Sequence, residues 1–183
     1  MIKFTFFDVG GVVINDFSKG NKLEEMRDML GIGNQWLSII NFFSRRFPTL
    51  YNMWLNNYVN RFQKNESIWP VISEINKTSK IGLLTNMHPK MLEKIKEFNL
   101  VPELNWDRVV DSSKVNLRKP NLEIYKYAEK VVGVSGEDIL FIDNGFKNIE
   151  AAKKLGWKTF LYDPYNSFDS NIKLLKYINE LQD

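Results

Sequence analysis

The sequence predicts an α/β fold, with a Rossmann-like, doubly wound parallel sheet of about five strands and a helical cap inserted after the first strand. In the second half of the chain, short apolar runs alternate with helix-like segments, which is the pattern of βαβ units. The runs are apolar at successive positions, as strands covered on both faces of a sheet require. A long stretch without strand signals follows the first run, which indicates an insertion there.

Each predicted strand is a short apolar run that ends next to a polar residue. The five runs are FTFF before Asp8, IGLL before Thr85, RVV before Asp111, ILFI before Asp143 and KTFLY before Asp163. The helix-like segments among them are PKMLEKIKEFN, NLEIYKYAEKVV and NIEAAKKLG. The last of these closes on Gly156, which suits the end of a helix because glycine adopts the left-handed conformation without steric cost.

Residues 17–77 are predicted to form the helical cap, and residues 1–16 and 78–183 the α/β core domain. The insert holds no clear strand, and LYNMWLNNYVNRF, WLSIINFF and KLEEMRDML are predicted to be helical. Aromatic residues recur at helical spacing in the first of these segments. We interpret them mainly as the insert's own core, with a lid that helps to define a substrate pocket as the alternative.

Composition limits the classes of function. The net charge is +3 without a long run of Lys or Arg, so no nucleic-acid partner is expected. The absence of cysteine excludes disulfides and thiol catalysis, and a single histidine argues against a multi-histidine metal site. No uncharged stretch reaches the roughly 18 residues of a membrane span. We therefore expect no membrane partner. A cytoplasmic setting is expected because it fits the absence of disulfides, and the sequence leaves open whether the protein is a monomer or a homodimer.

Polar side chains stand where three of the predicted strands end. Asp8, Thr85 and Asp143 each directly follow an apolar run. The carboxyl ends of parallel strands meet at one edge of a sheet, where ligand sites of open α/β sheets lie. Two carboxylates and a hydroxyl, with an amide from Asn86 or Asn144, would suit Mg²⁺ and a phosphate group, because Mg²⁺ prefers oxygen ligands.

The order of motifs resembles that of the haloacid dehalogenase-like hydrolase superfamily. FFDVGGVV resembles its first motif, which carries an aspartate nucleophile, and IGLLTN resembles the second, in which Ser or Thr ends a strand. LRKPNLEIYKYA resembles the third, with a lysine before proline, and ILFIDNGFKNIEAAKKLGW resembles the fourth. The four motifs occur in the family's order and span most of the chain.

The resemblance implies a role for each matching residue. Asp8 would attack phosphorus and form an aspartyl-phosphate. Thr85 and Asn86 would hold the phosphoryl oxygens, and Lys119 would neutralise the nucleophile and the phosphate. Asp143 would hold Mg²⁺, with an ordinary helix N-cap as the competing interpretation.

Further metal ligands follow from the same resemblance, which also reveals two departures. The main-chain carbonyl of Gly10 would ligate Mg²⁺, but this position commonly carries an aspartate that acts as the general acid and base. Asn144 stands where a second aspartate is common, and it would ligate directly or through a water. The lost acid typically contributes about 10² to 10⁴ in rate.

Other residues are candidates for replacing the missing acid. His88 follows the second motif and Asp16 follows the first, although a plain loop histidine and a turn-forming aspartate are competing interpretations. A branch of the superfamily with D-x-G first motifs includes sugar-phosphate phosphatases, such as an α-glucose 1-phosphate phosphatase. The sequence resembles this branch.

Three functions are therefore expected to compete. The first is a Mg²⁺-dependent phosphatase of a small phosphorylated metabolite, expected to be a sugar phosphate. The second is a 2-haloacid dehalogenase of the same fold, and the third a catalytically weakened scaffold that binds a ligand or a protein. The carboxylate in FIDN favours the phosphatase over the dehalogenase.

Overall fold

The structure is a computed structural model that describes residues 1–16 and 33–182. Its centre is a five-stranded, fully parallel sheet, as the sequence predicts. The strands are β1 (Phe4–Phe7), β4 (Lys80–Thr85), β5 (Arg108–Asp111), β6 (Ile139–Asp143) and β7 (Lys158–Leu161). Their order across the sheet is β5-β4-β1-β6-β7, so β1 is central and its two neighbours are β4 and β6.

Helices cover both faces of this sheet. In the described ranges they are α1 (Gly33–Arg46), α2 (Pro48–Val59), α3 (Trp69–Ile75), α4 (Met91–Glu97), α5 (Ser112–Val115), α6 (Leu122–Val132), α7 (Phe146–Lys153) and α8 (Ser167–Gln182). One apolar cluster joins one face of the sheet to α3, α4 and α8. A second cluster joins the other face to α6 and α7. The result is a three-layer α/β/α arrangement.

Helix α7 ends close to Gly156, as the sequence predicts. Gly156 has a φ of +79°, in the left-handed region. Its N–H donates to the carbonyl of Lys153 at 2.9 Å, and the next N–H, of Trp157, donates to Ala152 at 3.3 Å. These two bonds satisfy carbonyls that the helix end would leave unpaired.

A small antiparallel sheet corrects the prediction that residues 17–77 hold no strand. β2 (Ile14–Asp16) pairs with β3 (Phe62–Lys64), in the register Asp16 with Phe62. β3 is only three residues long, and its sequence FQK has no alternating apolar pattern. Pairing with β2 therefore defines this strand, and α2 ends at Val59 instead of continuing to Phe62.

The described part of the insert packs directly on the core. Tyr51, Leu55 and Val59 of α2 are buried in the same cluster as residues of α4. The Tyr51 hydroxyl donates to the carbonyl of Pro89 at 2.7 Å. The cap boundaries at 17 and 77 remain a prediction, and the predicted helix KLEEMRDML lies outside the described residues. Among the described helices, none combines the length and hydropathy of a membrane span.

Candidate active site

A buried lysine links two strand-end aspartates at the carboxyl edge of the sheet. The Lys119 Nζ lies 3.0 Å from Asp8 Oδ1 and 2.5 Å from Asp143 Oδ2. It also donates to the carbonyl oxygen of Leu84 at 2.8 Å. Asp8 follows β1 and Asp143 ends β6, which are neighbours in the sheet. The fold thus brings together three predicted site residues that are far apart in the sequence.

The Asp143 carboxylate is held from several sides. The N–H of Gly145 donates to Oδ1 at 2.6 Å, and Asn148 Nδ2 lies 3.0 Å from Oδ1 and 3.1 Å from Oδ2. With Lys119 added, these donors approach the four lone-pair sites that a carboxylate offers. Asp143 therefore acts as a fixed anchor for the ammonium group, and Asn148 orients that anchor.

Asn86 positions the main chain of Lys119. Its Nδ2 donates to the Lys119 carbonyl at 2.9 Å, and its Oδ1 accepts from the Lys119 N–H at 2.9 Å. The side-chain amide thus pairs with both main-chain groups of one residue, as another peptide unit would. The pair ties the loop after β4 to the segment that carries the lysine.

The two glycines after Asp8 have different surroundings. A Cβ at Gly10 would meet no atom within 4 Å, so this position has room for a side chain. Gly11 has a φ of +80°, and a Cβ there would overlap the side-chain amide of Asn144. Its N–H donates to the carbonyl of Ile14 at 2.7 Å. Gly11 therefore permits both a tight turn and the close approach of Asn144.

The remaining predicted site residues occupy distinct positions. Thr85 is buried at the end of β4, next to Asp111 in register. His88 packs against two rings of α2, those of Trp54 at 5.2 Å and Tyr58 at 5.7 Å between centroids. Asp16, in β2, pairs with Arg61, whose nearest nitrogen lies 3.3 Å from Oδ1.

Burial and charge act together on the central groups. Burial raises the pKa of the Asp8 carboxyl to about 6, although the Lys119 ammonium opposes this effect. Burial alone would lower the pKa of Lys119, but the carboxylates of Asp143 and Asp8 outweigh it and raise that pKa. At neutral pH, the site therefore holds an ionised nucleophile candidate beside a charged lysine.

The site offers oxygen ligands of the kind that Mg²⁺ prefers. The candidate donors are the Asp8 carboxylate, the Gly10 main-chain carbonyl and the Asn144 amide oxygen. The Asp143 carboxylate adds negative charge, and both of its oxygens already accept hydrogen bonds. Within residues 1–16 and 33–182, no three Asp, Glu, His or Cys side chains gather as a metal cluster. Mg²⁺ often takes only one or two protein carboxylates, with waters and a substrate phosphate completing its shell. The donor set thus fits Mg²⁺, with less negative charge than a third carboxylate would give.

Comparison with known proteins identifies the family. A model of the haloacid dehalogenase-like hydrolases matches residues 50–156, more than half of the chain. The chain belongs to this family. As one of the haloacid dehalogenase-like (HAD) hydrolases, it is 32% identical over 108 residues to a glyceraldehyde 3-phosphate phosphatase of Methanocaldococcus jannaschii. That match covers 57% of this chain and 46% of the phosphatase. The chain spans less than half the length of the curated relatives it matches.

Solved HAD structures share the fold at low sequence identity. A predicted HAD-like hydrolase from Porphyromonas gingivalis is 22% identical with a TM-score of 0.69, over 96% of this chain and 98% of that one. A HAD enzyme from Bacteroides thetaiotaomicron, solved with magnesium and inorganic phosphate, is 17% identical with a TM-score of 0.69. The match covers 88% of this chain and 94% of that chain. These similarities establish the fold.

Two contacts near the site, made by Asn86 and Tyr125, have no local signal in the sequence. The structure uses the Asn86 side chain to hold Lys119, and the Tyr125 hydroxyl donates to the carbonyl of Asn148 at 2.9 Å. Both contacts join residues that are distant in sequence, so no local pattern indicates them.

Proposed function

We propose that this HAD hydrolase is a Mg²⁺-dependent phosphatase that acts on a small phosphorylated metabolite through an aspartyl-phosphate on Asp8. The observation that carries the proposal is the contact of Lys119 Nζ with both Asp8 and Asp143. It places a fixed positive charge beside the carboxylate that must approach an anionic phosphate. Such preorganised charge is a large contribution to catalysis in buried sites.

In the first step, an Asp8 carboxylate oxygen attacks phosphorus, and the bond between phosphorus and the leaving-group oxygen breaks. In the second step, a water molecule attacks the same phosphorus and gives up a proton to the surrounding water. The bond to Asp8 then breaks, which releases inorganic phosphate and restores the carboxylate. Splitting one difficult displacement into two is the usual benefit of covalent catalysis.

The proton for the leaving group is proposed to come from water. Gly10 has no side chain to supply it, and Asp16 is already paired with Arg61. His88 lies against the rings of α2, so we keep it as a residue to test and assign it no step. Without a dedicated acid, substrates with good leaving groups should react fastest.

Phosphate binding is proposed to combine Lys119 with the end of β4. The Thr85 hydroxyl and the main-chain N–H of Asn86 would donate to the phosphoryl oxygens, because the next N–H, of Met87, already donates to Ser112 Oγ at 2.9 Å. The Asn86 side chain already bonds to Lys119, so its contribution would come through the main chain and through the position of the lysine.

Mg²⁺, when bound, would supply positive charge that reduces repulsion between Asp8 and an anionic substrate. We propose that Asp8 and the Gly10 carbonyl ligate it directly. Asp143 would contribute chiefly by its charge, because its oxygens are already engaged, and Asn144 would ligate directly or through a water. We propose a sugar phosphate as the substrate. The phosphatase that the chain resembles acts, by its name, on a triose phosphate, which is a small member of this class.

Phosphate release tests the proposal. The protein is assayed with p-nitrophenyl phosphate, glyceraldehyde 3-phosphate and a panel of sugar phosphates, with Mg²⁺ and with EDTA. Asp8→Asn should lower release by at least about 10³-fold, as loss of a covalent nucleophile does. Asp163→Asn is the matched control, because Asp163 follows the edge strand β7 and lies outside the site.

The outcomes separate the competing functions. Release that requires Mg²⁺ and Asp8 supports the phosphatase. Release that is equal in Asp8→Asn would remove the nucleophile assignment. If the panel gives no release from folded protein, chloride release from 2-chloropropionate would favour the dehalogenase alternative. No turnover in either assay would favour the scaffold that binds a ligand or a protein.

A further inference from the structure

A groove of about 620 Å³ lies between α1 and the segment that follows β5. This volume is within the usual range for small-molecule sites. Helix α1 contributes Arg45 and Arg46, and the segment after β5 contributes Lys114. The other described residues that line it are Ser38, Asn41, Phe42, Ser113 and Asn116. In the part of the chain that the structure describes, the lining thus holds three cations and no carboxylate.

Neither arginine is neutralised by a described carboxylate, although the Arg46 guanidinium carbon lies 5.4 Å from the centre of the Phe47 ring. Over residues 1–16 and 33–182, no carboxylate forms an ion pair with Arg45 or Arg46, and both side chains are exposed. Lys114 differs, because its Nζ lies 2.6 Å from Glu93 Oε1. The helix dipole favours cations in the last turn of a helix, which can account for Arg45 and Arg46 at the end of α1. It does not account for the serine and asparagine side chains that line the same groove.

The groove has the chemistry of an anion site. Guanidinium groups present paired N–H donors that match the oxygens of a phosphate or a carboxylate. Ser38 and Asn41 from α1 and Asn116 from the other wall can add further hydrogen bonds, whereas the Ser113 hydroxyl already donates to Asp111 Oδ1 at 2.8 Å. Among the described residues that line the groove, Phe42 is the one apolar side chain; it is mostly exposed and offers a surface for the carbon skeleton of a ligand.

The groove adjoins the candidate active site along the chain. Asn116, in its wall, is three residues before Lys119, so their α-carbons are at most about 11 Å apart. Lys119 in turn contacts Asp8. The β5 end, Asp111, is the register neighbour of Thr85 at the end of β4. Both links place the groove beside the carboxyl ends of β4 and β5, on the edge of the sheet where Lys119 contacts Asp8.

We propose that the substrate carries a second anionic group, a phosphate or a carboxylate, which Arg45 and Arg46 bind in this groove. The reacting phosphoryl group is then held by Lys119, and the remote anion by the cap helix. This inference rests on the proposed phosphatase function. It narrows the substrate class to sugar bisphosphates and phosphorylated sugar acids.

Three substrates that share the same glucopyranose ring and differ at the remote carbon test the inference. Glucose 1-phosphate, glucuronate 1-phosphate and glucose 1,6-bisphosphate carry a hydroxyl, a carboxylate and a phosphate at the remote carbon. The kcat/KM of at least one of the two doubly anionic substrates should exceed that of glucose 1-phosphate by at least about 10-fold. A phosphate preference and a carboxylate preference identify which anion the groove receives.

The double variant Arg45→Ala/Arg46→Ala should reduce this preference to about 1. The ratio of kcat/KM for the doubly anionic substrate to kcat/KM for glucose 1-phosphate is measured on one preparation of each variant, so a partial loss of folded protein cancels. Lys126→Ala/Lys130→Ala is the matched control, since it removes two exposed cations from α6 and should retain the preference. No preference in the unsubstituted protein, or a preference that survives in the double arginine variant, would overturn the inference.

Binding without turnover separates the two proposals. Calorimetry with Asp8→Asn compares glucose 1-phosphate with glucose 1,6-bisphosphate, and the tighter binding of the latter should depend on the arginines. Equal affinities would overturn the groove assignment even if p-nitrophenyl phosphate is hydrolysed. If no phosphate is released from any substrate, the phosphatase proposal fails, and the affinity difference alone decides whether the groove binds an anion.

Discussion

The side chain of Asn86 pairs with both main-chain groups of Lys119, at 2.9 Å for each hydrogen bond. This pair fixes the residue whose ammonium group contacts Asp8 and Asp143. It makes Asn86 a positioning residue that acts through the lysine. The position of the Lys119 ammonium group relative to Asp8 thus depends on a side-chain amide in a neighbouring loop.

We therefore expect Asn86→Ala to lower kcat by at least about 10-fold, because small displacements of a catalytic group are costly. Loss of the two hydrogen bonds should also reduce the free energy of unfolding by about 1–3 kcal/mol. Steady-state kinetics and urea unfolding measure the two effects. Asn86→Asp retains one acceptor and should be intermediate in kcat, whereas a purely structural role would change stability without changing kcat of the folded fraction.

Gly10→Asp should restore an acid at the position where the family commonly has one. The space around Gly10 accepts a side chain, so the variant is expected to fold. Hydrolysis of substrates with poor leaving groups should increase, by up to about 10². Gly10→Asn is the control of equal size without an acid. Equal rates for the two variants would show that the added carboxyl does not transfer a proton.

Asp143→Asn should weaken Mg²⁺ binding by about 10-fold or more, because it removes one of the two carboxylates near the proposed metal position. Titration calorimetry with MgCl₂ measures this affinity without turnover. Asp163→Asn again serves as a strand-end control. Undiminished Mg²⁺ affinity in Asp143→Asn would contradict the proposed metal site.

The buried Asp111 predicts a pH-dependent stability. Burial raises the pKa of this carboxyl above its usual value, despite hydrogen bonds from Ser113. The folded state therefore binds the Asp111 proton more tightly than the unfolded state, so stability falls as pH rises through this pKa. Asn caps a helix about as well as Asp. Asp111→Asn should be more stable than the unsubstituted protein at pH 7, by a margin that shrinks towards pH 4.

Denaturant unfolding at several pH values measures that margin. Ser113→Ala, which removes only the hydroxyl partner of Asp111, should not reproduce the gain at pH 7. A margin that is constant between pH 4 and pH 7 would mean that Asp111 does not titrate differently in the folded and unfolded states.

The sheet could be predicted because each strand carries its own local signal. FTFF and ILFI are apolar on both faces, and each stops at a carboxylate. The family motifs predicted which strand ends matter, and parallel topology brings Asp8 and Asp143 together. These inferences need only short-range patterns and the geometry common to parallel sheets.

Other features arise from pairing between distant segments. The strand Phe62–Lys64 forms only because Ile14–Asp16 lies beside it, and three residues give no periodicity. The sequence TNMHPK likewise contains nothing that predicts His88 between Trp54 and Tyr58. The use of Asn86 as a main-chain partner of Lys119 belongs to the same class, because an asparagine in a loop has many possible partners.

The β2–β3 pair holds together the two ends of the segment between them. Residues directly opposite in an antiparallel pair have α-carbons about 4.5–5.5 Å apart, and Asp16 is opposite Phe62. The chain thus leaves and re-enters at almost one point in space, a gap that a two-residue turn can close. The length of the intervening segment can therefore vary without moving the ends of β2 and β3, as long as Tyr51, Leu55 and Val59 keep their packing on the core. A protein engineer who varies the segment within that limit can change substrate preference and keep the residues at the strand ends.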